Sequence, residues 1–517
     1  MRKLLAVLLA ASIAVSMVGC GGKTTTDSGN KAETAQAGGE TKDKLIIGHY
    51  GDTPNFDTHN NLNDNGMRIN MAIYDPLVRM NNETYEINPC IAESYIISDD
   101  GTEYTFKIKS GVKFTDGSDM TIDDVVFSLQ RGMKMPMAVP SFARVTGVEL
   151  SGTDSVMVKL DGPYPEFLFA MALPTAGILS KAAFESMGEE AFAKNPVTTG
   201  PYKVTDWKVG EKVTLTANEN YHMGPVPIKN VEYRVITDAN SAVLSLESGD
   251  IDAYVDVQQS SFKRIEENEK LTLHKGNAFG MNFIQVNCSL APFDNLAARQ
   301  ALAYATDKES MLYGILDGDG QMVDTFATSE YLGYTDKVVK YPYDIQKAKE
   351  LFAQAGVTEG SKLSIIVYNT KSSKFAQILQ NSLAEIGITA EISQMERSAF
   401  DDAALSGTSH IIVDGGTFTA PTIDEVLYTA VHSSQMDIRN YSKYENTDVD
   451  KYLEEARKTL NDEDRAAIYE KLLIKLSEDV PMIPTIWNTK NIAANKNLKG
   501  VTANPWSFYN IYEFSWN

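Results

Sequence analysis

The sequence has few of the residues on which catalytic and metal-binding chemistry usually depends. Its 517 residues include 3 cysteines and 6 histidines, and no two histidines have the helical spacing of a metal-binding motif. Neither a Gly-x-Ser-x-Gly nucleophile motif nor a phosphate-binding loop is present. Carboxylates are numerous, but nothing marks two of them as an acid and a base. We therefore expect a protein that is not an enzyme and that holds no metal ion and no cofactor.

The chain is also short of positive charge. It carries 47 lysine and arginine residues against 69 aspartate and glutamate residues, which gives a net charge of −22. A protein that binds nucleic acid needs a basic surface to neutralise phosphates. The acidic balance therefore argues against nucleic acid as a partner and mainly favours solubility.

The N-terminal part does not have the pattern of a folded domain. A basic pair precedes an apolar run from residue 4 to residue 14, which is typical of a signal peptide and too short to span a bilayer. The sequence Ser-Met-Val-Gly-Cys at 16–20 resembles the lipobox of bacterial lipoproteins, in which Cys20 would receive the lipid. We predict a lipoprotein signal peptide over 1–19 and a flexible tether over 20–43. The alternative is a secretory signal in which Cys20 has no role.

The two remaining cysteines are Cys90 and Cys288. In an exported chain they could form a disulfide, but they are distant in sequence and their spacing does not show whether they meet. Two buried free thiols are the alternative.

A chain of 517 residues exceeds what one hydrophobic core supports, so we expect two or more domains. A strand, a turn and a helix just past the middle of the chain predict a crossing between two lobes. Residues 283–286 are apolar or half-apolar, as in a buried strand. Pro292 lacks the donor that a strand requires, and Asp294 can cap a helix over 296–306.

Local patterns predict both strands and helices on each side of this crossing. Thr121 and Asp124 have the spacing of a capping box at the start of a helix. Further along, Asp344 and Gly356 mark the two ends of an amphipathic helix. The segment between about 85 and 185 has the pattern of a compact α+β unit, and the whole chain that of an α/β protein.

A series of short motifs follows one another from about residue 45 to the C-terminus. They are Asn88-Pro-Cys-Ile-Ala-Glu-Ser94, the segment 104–117, Asp123-Asp-Val-Val-Phe-Ser-Leu129, Thr199-Gly-Pro-Tyr202, Asn218-Glu-Asn-Tyr221, Leu246-Glu-Ser-Gly-Asp-Ile-Asp252, the segment 287–293 with Arg299-Gln-Ala-Leu302, and Pro481-Met-Ile-Pro484. Each motif alone is weak, but their joint order is specific. In this order the chain resembles family 5 of the solute-binding proteins of ABC importers, which includes oligopeptide, dipeptide and nickel binders.

The resemblance implies an α/β chain with the two-lobed periplasmic-binding-protein type II fold (cluster C) and an extra inserted α+β domain. The expected boundaries are 44–84, 186–285 and 491–517 for lobe I, 85–185 for the inserted domain, and 286–490 for lobe II. A solute would bind between the lobes, which close by a hinge and present it to the transmembrane subunits of an ABC permease. The resemblance thus implies a monomeric, extracytoplasmic binding protein, anchored to the bacterial membrane by its lipid.

The chain departs from the family pattern in the segment around Thr419, from which the class of ligand could otherwise be predicted. Peptide binders of this kind have a Trp-x-Ala-Asp-Tyr segment whose Asp pairs with the amino group of the peptide. Here Thr419 stands at the Asp position, and a hydroxyl cannot neutralise an ammonium ion unless Asp414 or Asp424 takes over. The solute is therefore a peptide, or alternatively a sugar, a metal chelate or another small molecule.

Nine residues are predicted to contact the solute. The polar ones would form hydrogen bonds with it, and the aromatic ones would stack against it or form the wall of the cleft. A structural role in a turn, a core or a strand end is the alternative for each. The nine are Thr53, Asn55, Phe56, Phe279, Met281, Asp414, Thr417, Thr419 and Trp487.

Two other classes of function are compatible with the same fold. A signalling or chaperone-like lipoprotein would use the cleft without transport, and loss of uptake on deletion would distinguish the two. An extracellular hydrolase would turn over what it binds, so product released from a peptide or glycan library would contradict a protein that only binds.

Overall fold

The computed structural model describes residues 42–418, 420–503, 505–506 and 509–517. The predicted signal peptide, Cys20, most of the predicted tether and Thr419 lie outside the described residues. No helix in these ranges has the length and apolar character that crossing a lipid bilayer requires.

Strands and helices alternate along much of the described chain. The strands are β1 (Lys44–His49), β2 (Val78–Met80), β3 (Ile87–Pro89), β4 (Ala92–Ile97), β5 (Glu103–Ile108), β6 (Val145–Ser151), β7 (Ser155–Leu160), β8 (Tyr202–Lys208), β9 (Lys212–Ala217), β10 (Asn230–Val235), β11 (Ala253–Val255), β12 (Leu271–Val286), β13 (Gln321–Met322), β14 (Lys362–Val367), β15 (Thr389–Gln394), β16 (Ile411–Thr417), β17 (Met482–Asn495), β18 (Leu498–Lys499) and β19 (Ser515–Trp516). The α-helices are α1 (Asp64–Ile73), α2 (Ile122–Gly132), α3 (Val139–Phe142), α4 (Phe167–Ala170), α5 (Lys181–Met187), α6 (Glu189–Phe192), α7 (Ala239–Ser248), α8 (Phe262–Glu266), α9 (Leu296–Tyr304), α10 (Lys308–Leu316), α11 (Ile345–Gln354), α12 (Thr370–Glu385), α13 (Arg397–Leu405), α14 (Asp424–Val431), α15 (Thr447–Lys458) and α16 (Asp462–Asp479).

One large mixed sheet contains 11 of these strands. At one end β8, β9 and β10 are antiparallel, and β1 is parallel to both β10 and β11. At the other end β14 is parallel to β15 and to β16. Between the ends, β12 and β17 lie side by side and antiparallel, and the short β13 pairs with β17. Two long central strands therefore join the two ends of the sheet.

The pairing of β12 with β17 changes register in the middle of both strands. Asn277 lies opposite Thr489, whereas Met281 lies opposite Trp487. Residues 278–280 of β12 thus face a single residue of β17, and such a bulge bends the strands and locally interrupts their ladder. The crossing predicted from the sequence is present in β12, and β17 is a second crossing strand beside it.

Most helix boundaries follow local sequence signals. The main-chain N–H of Thr121 donates to the Asp124 carboxylate at 2.8 Å, as the predicted capping box requires. Asp344 caps α11 as predicted. The prediction that Asp294 caps the next helix is wrong, because Asn295 caps α9. Both residue types are good caps, so the path of the chain after the turn decided between them.

A second, antiparallel sheet with the strand order β4, β5, β7, β6 lies within residues 92–160. Its inner side chains belong to a buried cluster that extends through Phe279 of β12 and Trp487 of β17 to α16. The small sheet is therefore packed against the centre of the molecule. Cys90 and Cys288 are both free thiols.

Candidate functional site

A cleft of about 820 Å³ opens beside the bulge of β12. This volume falls in the range of about 300–1,000 Å³ that small-molecule sites usually have. The residues that line it come from α1, the segment around α3 and α4, both central strands, the end of β16, the first turn of α12 and the C-terminal tail. They include Leu62, Asp64, Met67, Val139, Ser141, Arg144, Tyr164, Phe167, Gln259, Phe279, Leu316, Asp319, Lys371, Thr417, Phe418, Glu425, Asn488, Lys490 and Trp506.

Phe279 is the central aromatic residue of this cleft, because the bulge places it between the pairing regions of β12. Its ring makes edge-to-face contacts with Tyr85, Tyr331 and Trp506 at centroid distances of 5.4, 5.8 and 5.7 Å. Such contacts fix the orientation of a ring more firmly than burial alone. One wall of the cleft is therefore apolar and rigid.

Trp487 supports this wall from behind. Its ring stacks on Phe418 at 5.3 Å with an angle of 14°, and its indole N–H donates to the Ala278 carbonyl at 2.7 Å. The side chain is fully buried. Trp487, predicted to contact the solute, thus lies behind Phe418, which lines the cleft.

The structure places two of the predicted contact residues, Phe279 and Thr417, in the cleft lining. Met281, two residues further along β12, is fully buried in the core, and Phe279 is itself only 1% exposed. Alternation in a regular strand would place both side chains on one face. The register of β12 against β17 shifts between Asn277 and Met281, and Phe279 borders the cleft whereas Met281 does not. Thr419 lies outside the described residues.

The predicted loop residues Thr53, Asn55 and Phe56 do not line the cleft. The Thr53 hydroxyl donates to the Asn55 carbonyl at 2.6 Å and accepts from the Asn61 amide at 3.0 Å. Phe56 is fully buried and packs on Trp207 at 4.9 Å. The side chains of Thr53 and Asn55 find their hydrogen-bond partners inside the loop. The chain reaches the cleft a few residues later, at Leu62 and the start of α1.

Asp414 is also placed away from the cleft. It is buried on β16, accepts a hydrogen bond from the main-chain N–H of Gly415 at 2.8 Å, and lies 3.8 Å from the Arg397 guanidinium. Burial raises the pKa of this carboxyl group. Asp424 forms an ion pair with Arg457 at 2.7 Å. Neither carboxylate lines the cleft, so neither is placed there to pair with an amino group in the way expected of an Asp at position 419.

Sequence reasoning missed the charged residues that do line the cleft. Asp319 accepts hydrogen bonds from the Thr489 hydroxyl and, at 3.3 Å, from the Gln259 amide. Lys371 follows the carboxyl end of β14, and Lys490 lies beside the bulge in β17. The rule that ligands bind outside the carboxyl ends of parallel strands could have drawn attention to Lys371. No sequence signal marks Lys490.

One trio in the described chain could offer three ligands to a metal ion. Atoms of Asp75, Cys90 and His222 lie within 4.8 Å of one another. However, Asp75 is already paired with the Arg79 guanidinium and with His222 Nε2, the latter at 2.9 Å. Burial raises the pKa of the Cys90 thiol to about 12. We assign the trio to a buried ion-pair network, because a cation there would face the guanidinium.

Comparison with known proteins identifies the family. Residues 86–437 match the model of the bacterial extracellular solute-binding proteins, family 5, middle region. The chain belongs to this family. The resemblance inferred from motif order is therefore confirmed, and proteins of family 5 are solute-binding proteins of ABC importers.

Family 5 members resemble this chain along most of its length. Oligopeptide-binding protein AppA of Bacillus subtilis is 30% identical over 538 residues and 96% of each chain. Heme-binding protein A of Haemophilus influenzae is 26% identical over 479 residues and 86% of each chain. The structure of AppA with a nonapeptide has a TM-score of 0.68 at 28% identity, covering 92% of this chain and 99% of that one.

The fold is matched more closely by HbpA2 from Haemophilus parasuis. That structure has a TM-score of 0.85 at 24% identity and covers 92% of this chain and 100% of its own. The predicted α/β fold of the periplasmic-binding-protein type is confirmed by these matches. The relatives include both peptide-binding and heme-binding proteins, so family membership alone does not identify the solute.

Proposed function

We propose that this protein is the substrate-binding lipoprotein of an ABC importer for short peptides. The observation that carries the proposal is the charge pattern of the cleft, which places Asp319 and two lysines around an aromatic wall at the crossing of β12 and β17. A zwitterionic solute needs groups of both signs, whereas a neutral sugar needs neither. The likeness to AppA along 96% of both chains supports the same class of solute.

Asp319 is the proposed partner of the peptide amino group. It lies in the cleft, and the Thr489 hydroxyl and the Gln259 amide hold its carboxylate in place. Thr419 cannot perform this role, and Asp414 and Asp424 are already paired with arginines outside the lining. Phe279, Phe418 and Thr417 would then contact the peptide between its charged ends.

A panel of solutes tests the proposal. Native mass spectrometry of the protein as purified would identify a retained solute. Thermal shift would then compare tri- to pentapeptides with oligosaccharides, hemin and a nickel–histidine chelate. At a concentration 100 times its dissociation constant, a ligand stabilises the folded state by about 2.7 kcal/mol. We expect peptides to raise the melting temperature, and a shift with hemin or the chelate alone would contradict the proposal.

The role of Asp319 has its own test. Asp319→Asn should weaken binding of tri-alanine but leave binding of N-acetyl-tri-alanine unchanged, because the acetylated peptide has no ammonium group to pair. Asp317→Asn, close in sequence but absent from the cleft lining, is the matched control. Equal losses for both peptides would show that Asp319 has a different role.

The proposed location is the outer face of the cell membrane, held by a lipid on Cys20. Two or three acyl chains give stable anchoring, while one chain alone binds reversibly. Cys20→Ala removes the site of lipid attachment and should therefore move the protein from the membrane fraction to the soluble fraction. A wild-type protein that is already soluble would contradict the lipid anchor without affecting the proposed solute.

A further inference from the structure

The segment around α4 and the start of α14 meet between two cavities. The cleft described above is lined by Phe167 of α4 and by Glu425 of α14. A second groove, of about 1150 Å³, is lined by the next residue of α4, Leu168, and by Thr422, which lies two residues before α14. The contact between the two segments therefore has an open space on each side, from which water can enter when the contact loosens.

A carboxyl group is buried at this contact. Glu166, the residue before α4, is 2% exposed. Its Oε1 accepts hydrogen bonds from the Thr422 hydroxyl at 3.0 Å and from the Tyr469 hydroxyl of α16 at 3.4 Å, whereas Oε2 has no partner among the described residues. Burying a carboxylate with an unsatisfied oxygen costs much more than burying a neutral carboxyl group. The contact is therefore more stable when Glu166 carries a proton.

The charges that face Glu166 come from three helices. Asp424 of α14 forms an ion pair with Arg457 of α15 at 2.7 Å, and Arg465 of α16 pairs with Asp462 at 2.6 Å. Both arginines are thus engaged with other carboxylates. Burial and the charge of Asp424 outweigh the effect of Arg465 and raise the pKa of Glu166 to about 7. Burial also raises the pKa of the phenols that interact with Glu166, so these stay neutral: Tyr104, Tyr164 and Tyr469.

We propose that Glu166 is a proton-sensitive latch, which holds the cleft closed while it is protonated and allows it to open when it is ionised. The proposal rests on the proposed function of the cleft as a site that closes on a solute. It takes Glu166 to lie in the inserted domain (85–185) and Thr422 and Tyr469 to lie in lobe II (286–490), as expected from the resemblance. Closing would then bury the carboxyl group, and opening would return it to water.

The direction of the pH dependence follows from the two environments. In the open arrangement the carboxyl group is hydrated and titrates near the ordinary value for glutamate, about 4.5, whereas in the closed arrangement burial raises its pKa to about 7. The latch is therefore fully engaged below about pH 4.5 and is lost as the pH rises through about 7. A solute that favours the closed arrangement is bound more tightly at acidic pH.

Proton uptake on binding tests the latch directly. Isothermal titration with tri-alanine at pH 6, in buffers that differ in ionisation enthalpy, gives the number of protons taken up per peptide bound. Glu166→Gln should lower this number by close to one, because the amide does not titrate but keeps an oxygen for Thr422 and Tyr469. The matched control is Glu463→Gln, an exposed residue of the second groove, which should behave as wild type.

The affinity itself should depend on pH in the same way. Between about pH 5 and pH 7 the affinity of wild-type protein for tri-alanine should fall by up to about tenfold per pH unit, and the affinity of Glu166→Gln should not show this fall. The ends of the peptide do not titrate in this range. Asp424→Asn removes the charge that disfavours ionised Glu166 and should move the fall to lower pH, a shift that a purely structural role of Asp424 would not produce.

The outcomes separate the latch from the proposed function. Equal proton uptake by wild type and Glu166→Gln, with tri-alanine bound by both, would overturn the latch and leave peptide binding intact. If neither protein binds a peptide, the result counts against the proposed solute, and the protein without a solute then decides on the latch.

Hydrogen–deuterium exchange at pH 5 and pH 8, corrected for the intrinsic effect of pH on exchange, provides that second measurement. Amides of residues 164–169 should lose protection at pH 8 in wild type but keep it in Glu166→Gln. The helix α11, whose Phe352 belongs to a separate buried cluster, is the internal control. The same protection of 164–169 at both pH values in wild type would overturn the latch. Circular dichroism of each variant checks that the fold is retained.

Discussion

Glu166 is a carboxyl group buried between the segment before α4 and the chain after β16. It accepts hydrogen bonds from the Thr422 hydroxyl at 3.0 Å and the Tyr469 hydroxyl at 3.4 Å, while its second oxygen has no partner in the described chain. Burial and the charge of Asp424 raise the pKa of Glu166 to about 7, against the opposing effect of Arg465. Between about pH 4.5 and pH 7, Glu166 therefore binds a proton in the folded protein and has released it in the unfolded chain.

The predicted consequence is a loss of stability as the pH rises from about 4.5 to about 7. In this range the folded state binds more protons than the unfolded state, so the free energy of unfolding falls with pH. Glu166→Gln removes this group's titration and should flatten that part of the profile. Urea denaturation at a series of pH values measures it, with exposed Glu211→Gln as control. Identical profiles for wild type and Glu166→Gln would contradict the assigned pKa.

Phe279 gives a second prediction at this scale. Phe279→Ala removes a ring that packs on three aromatic neighbours and should cost about 3–5 kcal/mol of stability. It should also weaken peptide binding, measured by titration at a temperature where the variant is folded. Phe352→Ala, in a separate buried cluster, should lose similar stability and keep its affinity. Unchanged affinity in Phe279→Ala would remove Phe279 from the contact surface.

Single residues show the limit of sequence reasoning most clearly. The sequence predicted cleft positions for Phe279 and Thr417, which line the cleft, but also for Phe56 and Met281, which do not. Phe279, Phe56 and Met281 are all buried, so burial does not separate them. An apolar side chain in a strand has the same local signal whether it faces a cleft or a core. The difference depends on what the opposite face packs against, which one chain segment does not encode.

At the scale of elements, Gly200 shows why one motif needs its glycine. A Cβ atom at this position would lie 2.3 Å from the carbonyl carbon of Ile73, at the end of α1. The main-chain N–H of Gly200 donates to the carbonyl oxygen of Ile73 at 3.2 Å. The motif Thr199-Gly-Pro-Tyr202 thus brings the entry to β8 directly against α1.

Gly200→Ala should therefore destabilise the fold by about 1–3 kcal/mol, because backbone cannot move aside as a flexible side chain can. The matched control is Gly314→Ala in α10, where a Cβ would meet nothing within 4 Å. There the same substitution should stabilise by about 0.5–1 kcal/mol through helix propensity. Urea denaturation compares the two variants. A neutral Gly200→Ala would mean that α1 and β8 can separate at little cost.

Helix ends could be predicted where hydrogen bonds between residues close in sequence determine them. The capping box at Thr121 and the cap at Asp344 are local hydrogen bonds, and both are present. The bulge that interrupts the pairing of β12 with β17 was not predictable. It depends on the register of two strands about 200 residues apart, and nothing in residues 278–280 alone requires it.

At the scale of the whole molecule, we expect the cleft to close when a solute binds. The two ends of the large sheet are joined through β12 and β17, whose ladder is interrupted beside the cleft. A bulge bends the strands that it interrupts, so we expect the hinge at this place. A solute that contacts both sides would favour the closed arrangement.

Small-angle X-ray scattering should detect this closure as a decrease in the radius of gyration when saturating tri-alanine is added. The double variant Lys371→Met, Lys490→Met is the control, since it should not bind and should not contract. Native mass spectrometry would confirm occupancy in each sample. Wild-type protein that is fully occupied and unchanged in radius would show that binding occurs without closure.

The sequence by itself determined the family, the α/β class and most helix ends, because these depend on motif order, periodicity and local caps. It also predicted, through the family resemblance, that Thr419 stands where peptide binders have an Asp. Only the tertiary structure showed that Asp319, Lys371 and Lys490, which come from three distant segments, line one cleft beside the bulge of β12. The residues next to each of the three in the sequence give no sign of a binding site. The three side chains line one cleft because of the strand register and the packing of the small sheet against the centre, and these are properties of the whole chain.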